Sequence, residues 1–196
     1  MPGTPLAHAG ALAGAQPFPS LATDRLVLRE FEPDDREAVY RIFSNEAVTA
    51  WHNIARVSTL EDARQLVAWR AEQWPSGRGV RWAIALRERP LDAIGSCGFD
   101  FQRRRHGAVE LSYDLDPGHW DRGFAREALA GAIGCAFAGR LGMAVGRIEA
   151  LTQPGNRRST RLLGSLGFRQ EGVLRRYRHW HDEAVDLACW SLLRGD

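Results

Sequence analysis

The stretch that decides the fold is "DLDPGHWDRGFAREALAGAIGCAF", residues 114–137. Its second half repeats apolar residues at the i, i+3, i+4 spacing of an amphipathic helix. The turn before this helix carries Gly118, Arg122 and Gly123, and it offers no serine or threonine side chain as a cap. Because the first backbone N–H groups of a helix lack partners within it, a phosphate can serve as the cap. The stretch therefore predicts a strand, a turn and a helix that begins at a phosphate site.

Periodicity and turn signals on either side of this stretch predict seven strands and four helices. The expected strands are 25–31, 80–86, 92–101, 108–116, 145–152, 168–180 and 184–193. The expected helices are 33–43, 58–74, 122–139 and 157–167. Ser58 and Glu61 are expected to form the capping box of the second helix, after an irregular segment at 44–57.

This order of elements predicts one α+β domain built on a mixed, mostly antiparallel sheet of about seven strands. The domain is expected to span residues 21–196. Residues 1–20 are rich in alanine, glycine and proline, so we expect a disordered N-terminal arm there.

The composition limits the classes of function. A chain of 196 residues with 44% hydrophobic and 26% charged residues is typical of a single globular domain. The net charge of +2 makes nucleic acid an unlikely partner. All 26 residues counted as lysine or arginine are arginines, whose forked donors suit phosphate and carboxylate groups.

Cysteine and histidine usage predicts neither disulfides nor a metal. Cys97, Cys135 and Cys189 are odd in number and far apart, which is typical of a reducing, cytoplasmic location. His179 and His181 could share one strand face, but no third ligand has a convincing spacing, so we expect no metal. The chain also has no signal-peptide pattern and no apolar run of the ~18 residues that suggest a membrane span.

The motif "WDRGFA", residues 120–125, resembles the acyl-CoA loop of the GNAT N-acetyltransferases. The pattern of that loop is Q/R-x-x-G-x-G/A, and Trp120, Gly123 and Ala125 stand at its first, fourth and sixth positions. A tryptophan start is typical of the branch that resembles the RimJ and RimL ribosomal-protein N-terminal acetyltransferases. Three more segments resemble that branch in the same order, so the resemblance covers about residues 21–194. They are "LATDRLVLREFEPDD", "AVELSYDLDPGHW" and "PGNRRSTRLLGSLGFRQEGVLR".

The resemblance implies that acetyl-CoA is the co-substrate and that a primary amine is the acceptor. It also implies that strands 108–116 and 145–152 splay apart and hold the pantetheine arm of acetyl-CoA between them. Residues at seven positions are implied to bind the cofactor. They are Leu115, Arg122, Gly123, Phe124, Ala125, Arg126 and Asn156.

The candidate catalytic residues are Glu110 and Ser159. Glu110 alternates with apolar residues on a strand beside the cofactor gap, so it is a general base in a cleft, an exposed acid or the partner of an arginine. Many relatives use a tyrosine of the second cofactor-side helix as the acid, but Leu163 stands at that position. Ser159 resembles the serine that this branch offers instead; its other interpretation is a simple first-turn serine. Trp51 and His52 lie where the branch builds its acceptor pocket.

Several alternatives stay open at this point. The acceptor is either a protein N-terminal α-amine or a small-molecule amine, and a non-catalytic acyl-CoA-binding sensor or assembly module is the alternative function. The sequence does not specify an oligomeric state. Asp121 departs from the family pattern because it replaces a common glycine beside the expected pyrophosphate site. Asp186, on the last strand, is expected to form a structural salt bridge.

Overall fold

The computed structural model describes residues 16–52, 54, 57–180 and 183–196. It contains one sheet of eight strands and five α-helices. The strands are β1 (Leu21–Ala22), β2 (Leu26–Arg29), β3 (Gly79–Leu86), β4 (Arg89–Asp100), β5 (Ala108–Leu115), β6 (Arg147–Thr152), β7 (Arg169–Trp180) and β8 (Glu183–Leu193). The helices are α1 (Arg36–Phe43), α2 (Glu46–Thr49), α3 (Leu60–Ala71), α4 (Phe124–Phe137) and α5 (Arg157–Ser165).

The strands lie in the order β1-β2-β3-β4-β5-β6-β8-β7, and every neighbouring pair is antiparallel except β5 and β6. The parallel pairing of β5 with β6 covers only Ala108–Leu111 against Arg147–Ala150. Beyond that register the two strands have no pairing, which produces a gap in the middle of the sheet. The α+β prediction with a splayed central pair is therefore confirmed, with the two-residue strand β1 as an addition.

Two separate apolar cores cover the two faces of the sheet. Successive residues of a strand point to opposite faces, and on β3 the side chains of Trp82 and Ala83 belong to different cores. The core that contains Trp82 is packed under α4 and α5, where Leu129 and Leu163 are fully buried. The core that contains Ala83 is packed under α1 and α3, with Phe43 at its centre. The gap between β5 and β6 thus opens between two helical layers.

The predicted start of α3 was wrong by one residue. The N-cap is Thr59, whose Oγ1 accepts the Asp62 N–H at 3.1 Å. The Asp62 carboxylate in turn accepts the backbone N–H groups of Ser58 and Thr59, both at 2.9 Å. A capping box needs an acceptor three residues after the cap, and Asp62 serves here in place of the predicted Glu61.

The segment expected to be irregular holds the short helix α2. Asn45 caps it by accepting the Ala47 N–H on Oδ1 at 3.0 Å. Four residues are barely more than one turn, so helical periodicity could not reveal this element. Residues 53, 55 and 56 of the same segment lie outside the described residues.

The described part of the expected N-terminal arm packs against the domain, whereas residues 1–15 lie outside the described residues. The Phe18 ring meets the rings of Trp74 and Trp82 edge-on, with both centroid distances at 6.3 Å. The Pro19 carbonyl accepts the Trp82 indole N–H at 2.9 Å. Phe18 and Pro19 thus contact the domain ahead of the expected boundary at residue 21, and the composition of the arm as a whole does not reveal this single aromatic anchor.

Candidate active site

Helix α4 begins without a side-chain cap, as the sequence predicts. Its N-cap is Gly123, with φ 79° and ψ 0°, and no side chain accepts the N–H groups of the first turn. This left-handed conformation favours glycine, and it directs the open N–H groups of Phe124, Ala125 and Arg126 away from the helix end. The helix dipole adds positive potential at the same end. The geometry suits a bound phosphate.

The backbone conformation of Asp121 accounts for the glycine that is common at this position of the acyl-CoA loop pattern. Its φ is 57°, so a non-glycine residue occupies the left-handed region here. Its carboxylate lies 3.7 Å from the Arg158 guanidinium, and the Asp121 side chain is 80% exposed. A contact this open to water contributes little stability. Asp121 therefore adds backbone strain and a negative charge next to the α4 N-terminus.

The turn before α4 is held from two sides. On one side, the Trp120 indole N–H donates to the Leu115 carbonyl at 2.8 Å. On the other side, the Arg25 guanidinium stacks over the Phe124 ring at 4.5 Å and donates to the Arg122 carbonyl at 3.1 Å. These contacts pre-order the turn, so a ligand would lose little affinity to loop ordering.

The edge of β5 that faces the gap carries open backbone groups. The Asp116 N–H donates to the Ile94 carbonyl of β4 at 2.8 Å, and antiparallel pairing alternates along a strand. The backbone groups of Tyr113 and Leu115 therefore point away from β4, toward β6, where the strand pairing has already ended. Trp120 takes the Leu115 carbonyl, which leaves the Leu115 N–H and both groups of Tyr113. An extended ligand with amide groups can pair with this edge.

A cavity of about 920 Å³ joins the α4 N-terminus, the gap and the α2–α3 side of the sheet. Trp51 and His52, the predicted acceptor residues, line this cavity on the α2 side. The Trp51 ring lies beside the β6–α5 loop, since a β-carbon placed on Gly155 would be 3.6 Å from it. Trp51 therefore narrows the cavity between the α2 side and the α5 side.

Glu110 lies on the cavity wall and is bound by an arginine. The Arg178 guanidinium of β7 donates to the Glu110 carboxylate at 3.1 and 3.4 Å. The Glu110 side chain is 33% exposed, so water and ligands still reach it. Two of the interpretations that the sequence left open, an arginine partner and a place in the cleft, thus occur together.

Ser159 and Asn156 lie on the opposite wall, at the start of α5. Asn156 is the N-cap, and its Oδ1 accepts the Ser159 N–H at 3.1 Å. The Ser159 hydroxyl lies 2.5 Å from the Tyr113 hydroxyl. Burial raises the pKa of Tyr113 to about 12. Tyr113 was not predicted as a site residue, because it lies on the same face of β5 as Leu111 and Leu115 and shares their apolar pattern.

The sequence also did not predict a buried polar cluster under the α2 side of the cavity. Arg70 of α3 donates to the Asp114 carboxylate of β5 at 3.0 Å, and the Ser96 hydroxyl donates to the same oxygen. Within the described chain, Asp114 Oδ1 and Arg70 Nε have no hydrogen-bond partner. Burial lowers the pKa of Arg70 to about 10 and lowers the pKa of the neighbouring His52. His52 is therefore a neutral imidazole at pH 7 in this cluster.

The family model of the acetyltransferase (GNAT) domain matches residues 25–169, which include the turn before α4, the gap and Ser159. The chain belongs to the GNAT family. It is an acetyltransferase, in agreement with the names of its relatives. The uncharacterized N-acetyltransferase YoaA of Bacillus subtilis is 33% identical over 177 residues, which are 90% of this chain and 98% of YoaA.

Solved structures share the fold of this acetyltransferase. Mycobacterium smegmatis RimJ, in complex with CoA-disulfide, matches with a TM-score of 0.74 and 21% identity over 86% of this chain and 81% of its own. The microcin C7 self-immunity acetyltransferase MccE, in complex with acetyl-CoA and AMP, matches with a TM-score of 0.78 and 15% identity over 88% and 94% of the two chains. The GNAT family uses acetyl-CoA, as the MccE complex illustrates.

Three smaller expectations for the acetyltransferase can be compared with the structure. The Asp186 carboxylate accepts the backbone N–H of Arg176 at 2.8 Å, so it holds a strand irregularity where an ion pair was expected. His181, one of the two histidines weighed as metal ligands, lies outside the described residues; among the described ones, no cluster suited to a metal is found. No described helix has the length and apolar character to cross a membrane.

Proposed function

We propose that this acetyltransferase moves an acetyl group from acetyl-CoA to a primary amine by direct attack of the amine on the thioester. One observation carries the proposal. The uncapped N-terminus of α4 and the open edge of β5 meet in a single cavity, and the opposite part of that cavity carries the Glu110 carboxylate. Acetyl-CoA would supply an activated carbonyl carbon there.

In the proposed cofactor site, most of the contacts to acetyl-CoA come from backbone groups. The N–H groups of the first turn of α4 bind the pyrophosphate, as they do at other helix N-termini. Arg122 and Arg126 add charge at that turn. The open backbone groups of Tyr113 and Leu115 pair with the pantetheine amides. The Asn156 side-chain amide, whose oxygen already caps α5, keeps its NH2 group for the cofactor.

The acceptor half uses Glu110 as the general base. An amine with a pKa near ~10 is almost entirely protonated at pH 7, so it must lose a proton before attack. Positioned base catalysis typically contributes ~10²–10⁴-fold to the rate. Arg178 keeps the Glu110 carboxylate oriented. Holding the amine and thioester together supplies the rest.

The acceptor approaches from the α2 side, past Trp51 and His52. Since Trp51 narrows the cavity beside Gly155, the amine must enter end-on. A protein N-terminal α-amine and a small-molecule amine both satisfy this condition, and we propose one of these two as the acceptor. The fold likeness to RimL, a ribosomal L7/L12 α-N-protein acetyltransferase, favours testing N-terminal peptides first.

We also propose that the acetyltransferase works in the cytoplasm. Cys97, Cys135 and Cys189 are all free thiols in the structure. Free thiols support a reducing compartment, where disulfides are rare.

The test is CoA release from acetyl-CoA, measured against a panel of small amines and short peptides. Glu110→Gln should lower kcat by ~10²-fold or more at pH 7, leave acetyl-CoA affinity nearly unchanged and recover as the pH rises. Glu37→Gln, on the exposed face of α1, is the matched control. Normal turnover by Glu110→Gln at every pH would remove Glu110 as the base. Binding of acetyl-CoA without turnover of any amine would favour the alternative, a non-catalytic acyl-CoA-binding module.

A further inference from the structure

We propose that Tyr113 is a positioning residue, which holds the Ser159 hydroxyl so that it donates a hydrogen bond to the sulfur of the departing CoA thiolate. This inference rests on the proposed function, since it assigns roles within the same site. It also replaces the acid that the resemblance would have placed on α5, where the chain has the fully buried Leu163.

The geometry brings the two hydroxyls together from opposite walls of the cavity. Tyr113 extends from the open edge of β5, and Ser159 lies in the first turn of α5. Their oxygens are 2.5 Å apart, and both residues line the cavity. Asn156 fixes the Ser159 backbone through the cap, so the serine has little freedom to turn away. A phenol therefore reaches the start of α5 even though α5 carries none.

The direction of this hydrogen bond follows from the acidity of the two groups. A phenol, with a reference pKa near ~10, is a better donor than an aliphatic alcohol. When Tyr113 donates to the Ser159 oxygen, the serine proton is free to point into the cavity. Donation to the serine oxygen also polarises its O–H bond, which strengthens the bond that Ser159 makes in turn.

Acidity also decides what this pair does for the thiolate. The pKa of Tyr113 is raised to about 12, whereas a thiol of the cysteine type has a pKa of ~8.5. Complete transfer of the phenol proton to the thiolate is therefore unfavourable by roughly 3,000-fold. The pair stabilises the negative charge by hydrogen bonding and keeps its own protons.

The complete step balances without a proton from either hydroxyl. The amine nitrogen forms a bond to the carbonyl carbon, and the carbon–sulfur bond breaks with its electron pair going to sulfur. The acceptor, an ammonium at pH 7, loses one proton to Glu110 before attack and a second one after the carbon–nitrogen bond has formed, and Glu110 passes each of them to water. CoA leaves as a thiolate hydrogen-bonded by Ser159 and takes a proton from water after release.

The direct test is the pKa of the CoA thiol in its complex with the protein, followed by the ultraviolet absorbance of the thiolate. A hydrogen bond to a charged group is strong enough to lower the pKa of the bound thiol by about one unit or more. Ser159→Ala should abolish this shift, and Tyr113→Phe should abolish most of it. Tyr40→Phe, a partly exposed tyrosine of α1 away from the cavity, is the matched control and should keep the shift.

Kinetics supply a second readout on the same variants. Tyr113→Phe and Ser159→Ala should each lower kcat about tenfold with little change in KM for acetyl-CoA. The double variant should be no slower than Ser159→Ala, since Tyr113 acts through the serine. The proposal would be overturned if the two reductions in kcat multiplied in the double variant, or if neither substitution changed the pKa of the bound thiol. If the unsubstituted protein did not bind CoA at all, the proposed function itself would be overturned.

Discussion

Replacing Gly123 by alanine should separate the fold of the α4 N-terminus from its role in ligand binding. Gly123 has φ 79°, and a β-carbon there would lie 3.4 Å from the Arg25 guanidinium. Gly139, just after the other end of α4, has φ 75° and nothing within 4 Å of such a β-carbon. Alanine would introduce about the same backbone strain at both positions, because their φ angles are similar. Of the two, only Gly123 lies at the expected phosphate site. Gly139→Ala is therefore the matched control.

The expected magnitudes follow from strain and ligand linkage. Alanine in the left-handed region costs about 1 kcal/mol, which lowers the Tm of a chain of this size by roughly 2–4 °C. Saturation at 100 times the Kd stabilises a protein by ~2.7 kcal/mol, so acetyl-CoA should raise the Tm of the unsubstituted protein by about 5–10 °C. Loss of two hydrogen bonds to a charged phosphate weakens binding by ~100-fold or more. The same ligand concentration then adds only ~0.4 kcal/mol.

Thermal unfolding with and without acetyl-CoA measures both effects. Without ligand, Gly123→Ala and Gly139→Ala should lower the Tm by similar amounts. With ligand, Gly139→Ala should show the full rise and Gly123→Ala a rise of about 1 °C. A full rise in Gly123→Ala would refute the assignment of the phosphate to this helix end. Loss of the rise in both variants would show that the helix as a whole, and not its N-terminus, controls binding.

Three further outcomes are expected. Deleting residues 1–20 should lower the Tm by about 4–8 °C relative to deleting residues 1–15, because only the longer deletion removes the partly buried Phe18; equal Tm values would contradict the core role of that ring. Asp121→Gly should tighten acetyl-CoA binding, measured by calorimetry, because it removes a negative charge beside the expected pyrophosphate site. Asp121→Asn removes only the charge, so an unchanged Kd in both variants would contradict this account. Burial raises the pKa of Cys97 to about 12, while an unfolded thiol titrates near ~8.5. The folded state therefore retains that proton at higher pH, and the free energy of unfolding should fall as the pH rises above about 9, less steeply in Cys97→Ala; parallel pH profiles from urea unfolding would contradict the assignment.

The elements of the proposed cofactor site could be predicted from the sequence because they are adjacent in the chain. A strand, a turn with glycine and an amphipathic helix follow one another, and each leaves a local signal. The predicted start of α4 at residue 122 lies two residues before the observed first residue, Phe124, and the missing side-chain cap was predicted from the sequence. The capping box of α3 shows the limit of the same reasoning. Local patterns allowed two neighbouring registers, and only the hydrogen bonds of Asp62 distinguish them.

The pairs that complete the site could not be predicted from one sequence, because they join residues far apart in the chain. Tyr113 and Ser159 are separated by 46 positions, and Glu110 and Arg178 by 68. Periodicity classifies a residue by its neighbours on one element, so Tyr113 was placed with the apolar residues of β5. The periodicity of one element contains no information about which side chain of α5 faces Tyr113.

The groups proposed for the cofactor and those proposed for the acceptor come from different kinds of structure, so the choice of acceptor can change independently of cofactor binding. The groups proposed for the cofactor are mostly backbone atoms of one continuous segment, and a side-chain substitution leaves backbone donors in place. The wall proposed for the acceptor is built from side chains of separate elements, among them Trp51 of the α2 side, Arg70 of α3 and Arg178 of β7. Substitutions on that wall can reshape it while Gly123 and the edge of β5 stay unaltered. Different acceptors are therefore compatible with one cofactor site, and the acceptor must be identified by assay of the α2-side pocket and its variants.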